Sequence, residues 1–261
     1  MRQPKQLRSE MGWSTETEVH VRGRNLCTEI LGKVDLGGMA FLELTGRLPT
    51  GQEAEVFNAA LVTLVEHGMT PSAMSARLTW LGAPEAMQGA VAAGLNGMGS
   101  VFGGGAEASA RMLYEALDGK PADADLDAVA AAVVADHAQR RRPVPGLGHP
   151  LHRPIDPRTP VLFAIAGRNG MRGRYVALME KIATAAAARS KRTLPLNATG
   201  AIGALILELG LPWQVGRGLA VISRSIGLVG HIMEEMRQPM ALELWQRAET
   251  EVADASRQSE N

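Results

Sequence analysis

A chain of 261 residues that balances 27 basic against 27 acidic side chains has no net charge to draw it to nucleic acid, so a general nucleic-acid binder is not expected. With 46% apolar and 21% charged residues the chain is not a disordered one, and it is long enough for one large domain or for a large and a small one. The single cysteine, Cys27, can form no disulfide within the chain, and we expect it to be a small buried residue in a reducing, cytoplasmic environment.

Helices are predicted for most of the chain, because Ala, Leu, Met, Glu and Arg dominate it and alternating β-branched residues are scarce. Three segments repeat apolar residues at three-to-four-residue spacing, which is typical of a helix with one face in the core. In chain order these faces are Val56, Phe57, Ala60, Leu61, Leu64 and Val65; then Leu126, Val129, Ala130, Val133 and Val134; and last Leu219, Ile222, Ile226, Val229 and Met233, the most regular of the three. No apolar run reaches the roughly 18 residues of a membrane span, and the basic N-terminus lacks the apolar stretch of a signal peptide.

The first break between these helices is the glycine-rich segment 94–105. Its glycines follow the spacing Gly97-x-Gly99-x-x-x-Gly103, one residue longer than the dinucleotide-binding fingerprint, and no strand is predicted before them. We therefore expect no nucleotide motif here. The glycines suit close approach of the backbone either to another helix or to a ligand, and the sequence favours neither.

The second break, residues 140–158, places two histidines and five arginines on a backbone rich in proline and glycine. Such a loop can direct guanidinium groups at phosphates or carboxylates, and an imidazole at a carbonyl. His149 and His152 have the spacing of a metal pair, but Pro150 lies between them and no acidic residue stands where a further ligand is expected, so no metal site is predicted. The run 140–142 could equally be a solvated basic loop, and a DNA-binding function would depend on it alone.

The last predicted helix carries two polar residues, Arg224 and His231, seven positions apart and therefore on one face. An arginine within an apolar stretch is costly to bury unless an anion meets it. His231 and His67 each have a structural interpretation as well, since His67 follows Glu66 at a helix end, where it could interact with the helix dipole.

Taken in order, these segments resemble the citrate synthase superfamily, and more closely its short citryl-CoA lyase branch, which includes the C-terminal module of ATP-citrate lyase. The matching pieces are residues 12–15, 21–26, 41–50, 66–68, 102–104, 145–150 with 156–158, and 223–231. Any one piece is weak, but the series is highly specific and covers nearly the whole chain.

The resemblance implies an all-α, citrate synthase-like fold with two domains. A large helical domain would comprise residues 1–108 and 197–261, and a small helical domain, residues 109–196, would be inserted between them and carry the CoA and histidine loop. The family works as a homodimer or a dimer-based assembly. Its active site lies between the domains, and closure expels water around CoA and the dicarboxylate.

The resemblance also implies roles for individual residues. His67 and His149 would bind the oxo or hydroxy group of oxaloacetate or the citryl moiety, with His149 polarising the carbonyl. Carboxylates would be held by Arg158 and Arg224, and by Arg237 as the arginine supplied across the dimer. The CoA-binding positions would be Arg142, Gly146, Leu147, Gly148, Arg153, Phe102 and Gly103. The CoA thioester would be a substrate, and no metal is expected.

Two positions depart from the citrate synthase pattern. Phe102 stands where citrate synthases carry a histidine that stabilises the acetyl-CoA enol, and the lyase branch also has Phe there, which favours lyase chemistry. Thr199, in the series Asn197-Ala198-Thr199-Gly200, stands where the family has the aspartate that moves the proton of the acetyl methyl group. A threonine hydroxyl cannot act as a general base, and loss of such a group typically costs about 10²–10⁴-fold in rate.

Two functions follow from this pattern. The first is a CoA-dependent C–C lyase or synthase that converts citryl-CoA to acetyl-CoA and oxaloacetate, or acts on a related acyl-CoA and α-oxo acid pair. In that case a water molecule, Glu107 or Asp156 would have to replace the missing aspartate. The second is an acyl-CoA-binding homologue with weak or no turnover.

Overall fold

The computed structural model describes residues 7–149, 151–190 and 194–259. Residues 1–6, which contribute to the basic N-terminus, and Pro150, which separates the two loop histidines, lie outside these ranges. The helices are α1 (Leu36–Thr45), α2 (Gly51–Val65), α3 (Pro71–Gly82), α4 (Met87–Gly103), α5 (Gly105–Leu117), α6 (Leu126–Gln139), α7 (Arg158–Arg168), α8 (Arg174–Ser190), α9 (Ala198–Glu208), α10 (Val215–Arg237) and α11 (Ala241–Ser259). They confirm the predicted all-α fold class.

A small antiparallel sheet precedes the helices, in a segment for which the sequence predicted no element. It consists of β1 (Gly12–Ser14), β2 (Val19–Val21) and β3 (Arg24–Asn25), and a single π-helical turn (Leu26–Ile30) follows it. Trp13 pairs with His20 across the first two strands, and their rings stack 3.9 Å apart. Cys27 lies in the π-helical turn and is exposed, so the expectation of a buried cysteine is wrong.

Local sequence explains where the helices that carry the site begin. At the start of α2 the hydroxyl of Thr50 accepts from the Glu53 amide, while the Glu53 carboxylate accepts from the Thr50 amide. Helix α3 begins with Pro71 after the capping residue Thr70. Asn197 caps α9 by accepting from the Gly200 amide, and this cap places Thr199 in the first turn.

The core is centred on α9, in which Gly200 to Leu207 is an unbroken run of buried residues. Helix α5 packs closely on α9. A Cβ atom on Gly203 would lie only 2.6 Å from the Cβ of Ser109, so the two helices could not approach this closely without glycine there. The apolar faces predicted for α2 and α6 contribute Val56, Phe57 and Ala60 and Val129, Ala130 and Val134 to this core. Helix α9 is therefore enclosed by its neighbours along most of its length.

The apolar face predicted for α10 is wrong over most of its length. Ile226, Val229 and Met233 are 49%, 39% and 47% exposed, although Leu219 is buried as predicted. The core-facing side is instead made of small, polar and apolar residues: Gly216, Leu219, Ala220, Ser223, Arg224, Gly227, Leu228, His231, Ile232 and Glu235. Helix α10 thus packs a mixed face of small, polar and apolar residues against α2, α3 and α4. It leaves an apolar row on the surface.

The glycines of segment 94–105 serve close helix packing in the first half of the segment. A Cβ atom on Gly94 would lie 2.7 Å from the Leu228 side chain, and one on Gly97 would lie 2.7 Å from the Ser75 hydroxyl. Helix α4 kinks at Gly99, whose φ is 50°, and is followed directly by α5. A helix rather than a strand precedes these glycines. Within the described ranges every helix is too short or too polar to cross a bilayer.

Candidate active site

Three histidines from two distant segments meet beside the N-terminus of α9. His67 lies two residues after the end of α2, and His149 and His152 lie in the loop before α7. The ring centroids of His67 and His149 are 5.3 Å apart, and those of His149 and His152 are 4.2 Å apart. The structure therefore brings together the two histidines to which the sequence assigned the oxo group, and adds His152.

The loop fixes the proton position on His149. Its Nδ1 atom accepts from the backbone amides of Leu151 and His152, both at 3.1 Å. A neutral imidazole with an acceptor at Nδ1 carries its proton on Nε2. Nε2 in turn lies 3.4 Å from Nη2 of Arg158, which can only donate. Two donors thus face each other, and an oxygen atom placed near both would satisfy them.

The same proton position makes the histidines a poor metal site. Ligand atoms of His67, His149 and His152 lie within 4.8 Å of one another, which is close to the size of a metal centre. A metal bound at Nε2 of His149 would need the proton on Nδ1, where two amide donors already point. The guanidinium of Arg158 also opposes a cation there. The cluster suits an oxygen-bearing substrate better than a metal.

The two predicted catalytic histidines are held in their neutral form. Burial lowers the pKa of His67, and the positive charge of Arg158 lowers it further. Burial also lowers the pKa of His149, with further contributions from His152 and Arg158. An ordinary histidine pKa is about 6.5, so both rings are mainly neutral at pH 7. A neutral ring can donate to a carbonyl oxygen or accept a proton from a hydroxyl.

Arg158 is oriented by Asp156, which is fully buried. The carboxylate accepts from Nε and Nη2 of Arg158 at 2.9 and 2.8 Å, and also from the Ala198 amide at 2.9 Å. Burial by itself would raise the pKa of Asp156, but these hydrogen bonds outweigh it and lower the pKa to about 2. Asp156 is therefore a support for Arg158 and α9. It does not fit the role of a substitute proton carrier.

Arg224 is a buried cation without a full set of partners. The residue is 9% exposed, and its Nη1 atom is buried without a hydrogen-bond partner among the described residues. The nearest carboxylate oxygen, on Glu66, is 3.8 Å away. Burial lowers the pKa of Arg224, opposed in part by Glu66. An unsatisfied buried guanidinium next to a cavity is a site for an anion such as a carboxylate.

Thr199 lines a small cavity together with Arg224 and Phe102. The cavity has a volume of about 40 Å³, and its other walls come from Leu64, Met98, Gly103, Gly105, Ala106 and Ala220. The Thr199 hydroxyl donates to Oδ1 of Asn197 at 2.8 Å, so it holds its own proton in place. Glu107, the other carboxylate considered as a proton carrier, is bound by Arg217 at 2.7 Å.

The predicted CoA loop is anchored to the start of α9. Gly148 donates to the Pro195 carbonyl at 2.8 Å, and Asn197 donates through its side chain to the Gly148 carbonyl at 2.6 Å. Gly146 has φ of 82°, and a Cβ atom there would lie 2.6 Å from Cα of Gly200, so only glycine fits. The side-chain amide of Asn197 thus contacts the loop 146–148 through its nitrogen and Thr199 through its oxygen.

The structure does not bring every predicted residue into this cluster. Arg142 is exposed and lines a separate groove of about 770 Å³ between α5 and α6. Arg153 is exposed in the loop, and Arg237 is exposed as the last residue of α10. Their assignment to CoA or to a carboxylate stays a prediction.

Sequence reasoning missed Arg77, which is fully buried on α3 and bonded to His231 and Glu235. The sequence feature that could have indicated its burial is its place on the face of α3 that also carries the small residues Ala73 and Ala76. A charge on such a face needs buried partners.

Comparison with known proteins gives a consistent assignment. The family model described as the C-terminal domain of citrate synthase matches residues 32–245. The citrate synthase of Haloferax volcanii is 26% identical over 199 residues, which cover 74% of this chain and 49% of that protein. The chain thus spans about half the length of this curated relative.

Among solved structures, citryl-CoA lyase from Hydrogenobacter thermophilus is 30% identical, with a TM-score of 0.80 and coverage of 90% of this chain and 88% of that one. ATP citrate lyase from Methanothrix soehngenii, in complex with citrate and coenzyme A, has a TM-score of 0.76 at 22% identity. This chain covers 40% of that protein, and the likeness concerns the fold.

Proposed function

The chain belongs to the citrate synthase family, and on that premise we propose that it is a CoA-dependent lyase that cleaves citryl-CoA, or a closely related acyl-CoA, into acetyl-CoA and oxaloacetate. The observation that carries this proposal is that His149 and Arg224 each present a donor without an acceptor. Nε2 of His149 faces Arg158, and Nη1 of Arg224 is buried without a partner. A keto-dicarboxylate supplies the oxygens that these groups need.

In the cleavage direction, the citryl hydroxyl loses its proton as the C–C bond breaks and the oxaloacetate carbonyl forms. His149, with its proton on Nε2, is placed to donate to that oxygen, and Arg158 stabilises its negative charge. His67 is neutral and adjacent, and we assign to it the acceptance of the hydroxyl proton. Arg224 holds a carboxylate.

The remaining step returns a proton to the acetyl-CoA enolate carbon. Thr199 donates its only proton to Asn197, Asp156 has a pKa of about 2, and Glu107 is paired with Arg217. A cavity of about 40 Å³ beside Thr199 has room for one water molecule. We assign the proton to such a water, and the hydroxide left behind regains a proton from the one that His67 accepted, which makes this step slower than with a carboxylate.

Incubation with citryl-CoA tests the proposal, with acetyl-CoA plus oxaloacetate as the reverse assay. We expect release of acetyl-CoA from citryl-CoA well above the uncatalysed rate. The second function, an acyl-CoA-binding homologue with weak or no turnover, is favoured because Thr199, Asp156 and Glu107, the three groups considered as proton carriers, are all bound to other partners. Tight binding of citryl-CoA without product would establish that function instead.

Arg224 provides a test of the carboxylate site. Replacing it with alanine should weaken oxaloacetate binding by about 1.5–3 kcal/mol, because a charged hydrogen bond to the carboxylate is lost. Isothermal titration calorimetry measures this, with Arg247→Ala as the control, since Arg247 is an exposed ion-paired arginine on α11. Arg224→Lys should recover part of the affinity. An unchanged affinity in the alanine variant would show that Arg224 is only structural.

We also propose that the protein is a cytoplasmic homodimer with the two-domain division predicted above, and that the exposed row Ile226, Val229 and Met233 faces a second copy. A charge in the middle of this row should raise the dimer dissociation constant by roughly tenfold or more, about 1.4 kcal/mol. Sedimentation velocity of Val229→Lys tests this, with Val161→Lys, at an exposed position of α7, as the control. A wild-type protein that sediments as a monomer at micromolar concentration would refute the dimer.

A further inference from the structure

A buried polar network behind the site begins at Arg77, which has no exposed surface. Its guanidinium donates to Glu235 at 2.7 Å, to Glu234, and through Nε to Nδ1 of His231 at 3.1 Å. Because an arginine can only donate, Nδ1 of His231 is an acceptor and the ring proton lies on Nε2. Arg77 therefore determines which nitrogen of His231 presents a proton to the site.

His231 lies directly against Glu66. Its Nε2 atom is 3.0 Å from Oε2 of Glu66 but outside hydrogen-bonding geometry, so the contact is electrostatic. The close approach of α10 to the end of α2 depends on Gly227, which lies one turn before His231 on α10. A Cβ atom there would lie 2.1 Å from the Val65 carbonyl oxygen and 3.2 Å from Glu66. Helix α10 thus receives the end of α2 directly against its backbone.

The second oxygen of Glu66 holds the backbone that carries His67. Oε1 accepts from the amide of His67 at 2.8 Å and from the amide of Gly68. Gly68 has φ of 73°, so the chain reverses immediately after the histidine. The same carboxylate lies 3.8 Å from Nη1 of Arg224. One side chain thus contacts the backbone of an imidazole residue and the guanidinium that line the site.

Helix stability does not explain an acidic residue at this place. Glu66 is the C-cap of α2, and a negative charge at the C-terminus of a helix opposes the helix dipole. The carboxylate is 46% exposed, yet two amide protons, His231 and Arg224 contact it on its inner side. Contacts with site residues, rather than helix capping, favour an acidic residue here.

We propose that Glu66 is a positioning residue, which sets the place of His67 relative to Arg224 and is itself held by the Arg77–His231 pair. This rests on the proposed function, in which His67 meets the substrate hydroxyl or carbonyl. Glu66 does not touch the reacting atoms. It acts through the backbone of His67, so removing its carboxylate misplaces the imidazole while leaving the chain folded.

A double-mutant cycle tests the proposal. Glu66→Ala should lower kcat/KM for citryl-CoA cleavage by about tenfold or more, because small misplacements of site residues have large effects. In a His67→Ala background the same change should lower it by less than about twofold, since its route of action is gone. Glu66→Gln keeps an acceptor oxygen and should recover part of the rate. Glu55→Ala is the control, because Glu55 is also an ion-paired glutamate of similar exposure, near the opposite end of α2.

A measurement that needs no turnover accompanies the cycle. In the ¹H–¹⁵N spectrum of the full chain, the amide signals of His67 and Gly68 should move upfield in Glu66→Ala and stay in place in Glu55→Ala. Additive losses in the cycle, or unmoved amide signals, would overturn the positioning role. If the wild-type protein cleaves no citryl-CoA while the amide signals move as expected, the contact stands and the proposed activity falls.

Discussion

Replacing His149 with alanine is expected to abolish measurable citryl-CoA cleavage, a loss of about 10²–10⁴-fold, while leaving the fold intact. The reason is the fixed proton on Nε2, which two backbone amides impose from the other side of the ring. No other described neutral donor faces Arg158 in the same way, and alanine leaves the developing negative charge on the substrate oxygen with one partner fewer. The measurement is the single-turnover rate of acetyl-CoA release.

His20→Ala is a suitable control for this variant. His20 lies in the small N-terminal sheet, where it stacks on Trp13 and pairs with Glu18. Circular dichroism should show equal helix content in both variants, because the His149 side chain is only partly buried. A His149→Ala protein that cleaves citryl-CoA at nearly the wild-type rate would remove His149 from the chemistry.

The fold was predictable from the sequence where apolar periodicity and burial agree. The faces of α2 and α6 follow this rule, with Phe57 and Val134 in the core. Helix α10 breaks it, because its most regular apolar row lies outside. Periodicity reports that one face of a helix is apolar, but not what covers that face. The position of Arg224 in an apolar stretch indicated only that its burial would be energetically costly without an anion.

The members of the candidate site could be proposed from the sequence, but its geometry could not. The order of the motifs pointed to His67, His149, Arg158 and Arg224, and the structure places them near one another. The supporting contacts were not accessible from spacing, since Arg77 and His231 are 154 positions apart, and Asp156 and Ala198 are 42 apart. Such contacts depend on how α3 meets α10 and how the loop before α7 meets α9. The local sequence pattern carries no information on how these elements pack against each other.

On the proposed function, Thr199 limits the rate, and changing it to aspartate should raise the rate of citryl-CoA cleavage by about 10²–10⁴-fold. Aspartate at this position would supply a carboxyl group that can exchange a proton with the enolate carbon, which the threonine hydroxyl cannot do. The measurement is kcat for acetyl-CoA release, with the reverse condensation as a second assay.

Thr199→Asn is the matched control, since it has nearly the size of aspartate but no titratable group. It should leave the rate at or below the wild-type value, whereas a gain in both variants would point to a change in cavity shape. The aspartate also loses the hydrogen bond that Thr199 donates to Asn197, so some decrease in melting temperature is expected. If Thr199→Asp folds and gains no activity on any acyl-CoA, then position 199 is not where the proton is transferred, and the role assigned to the cavity beside it is wrong.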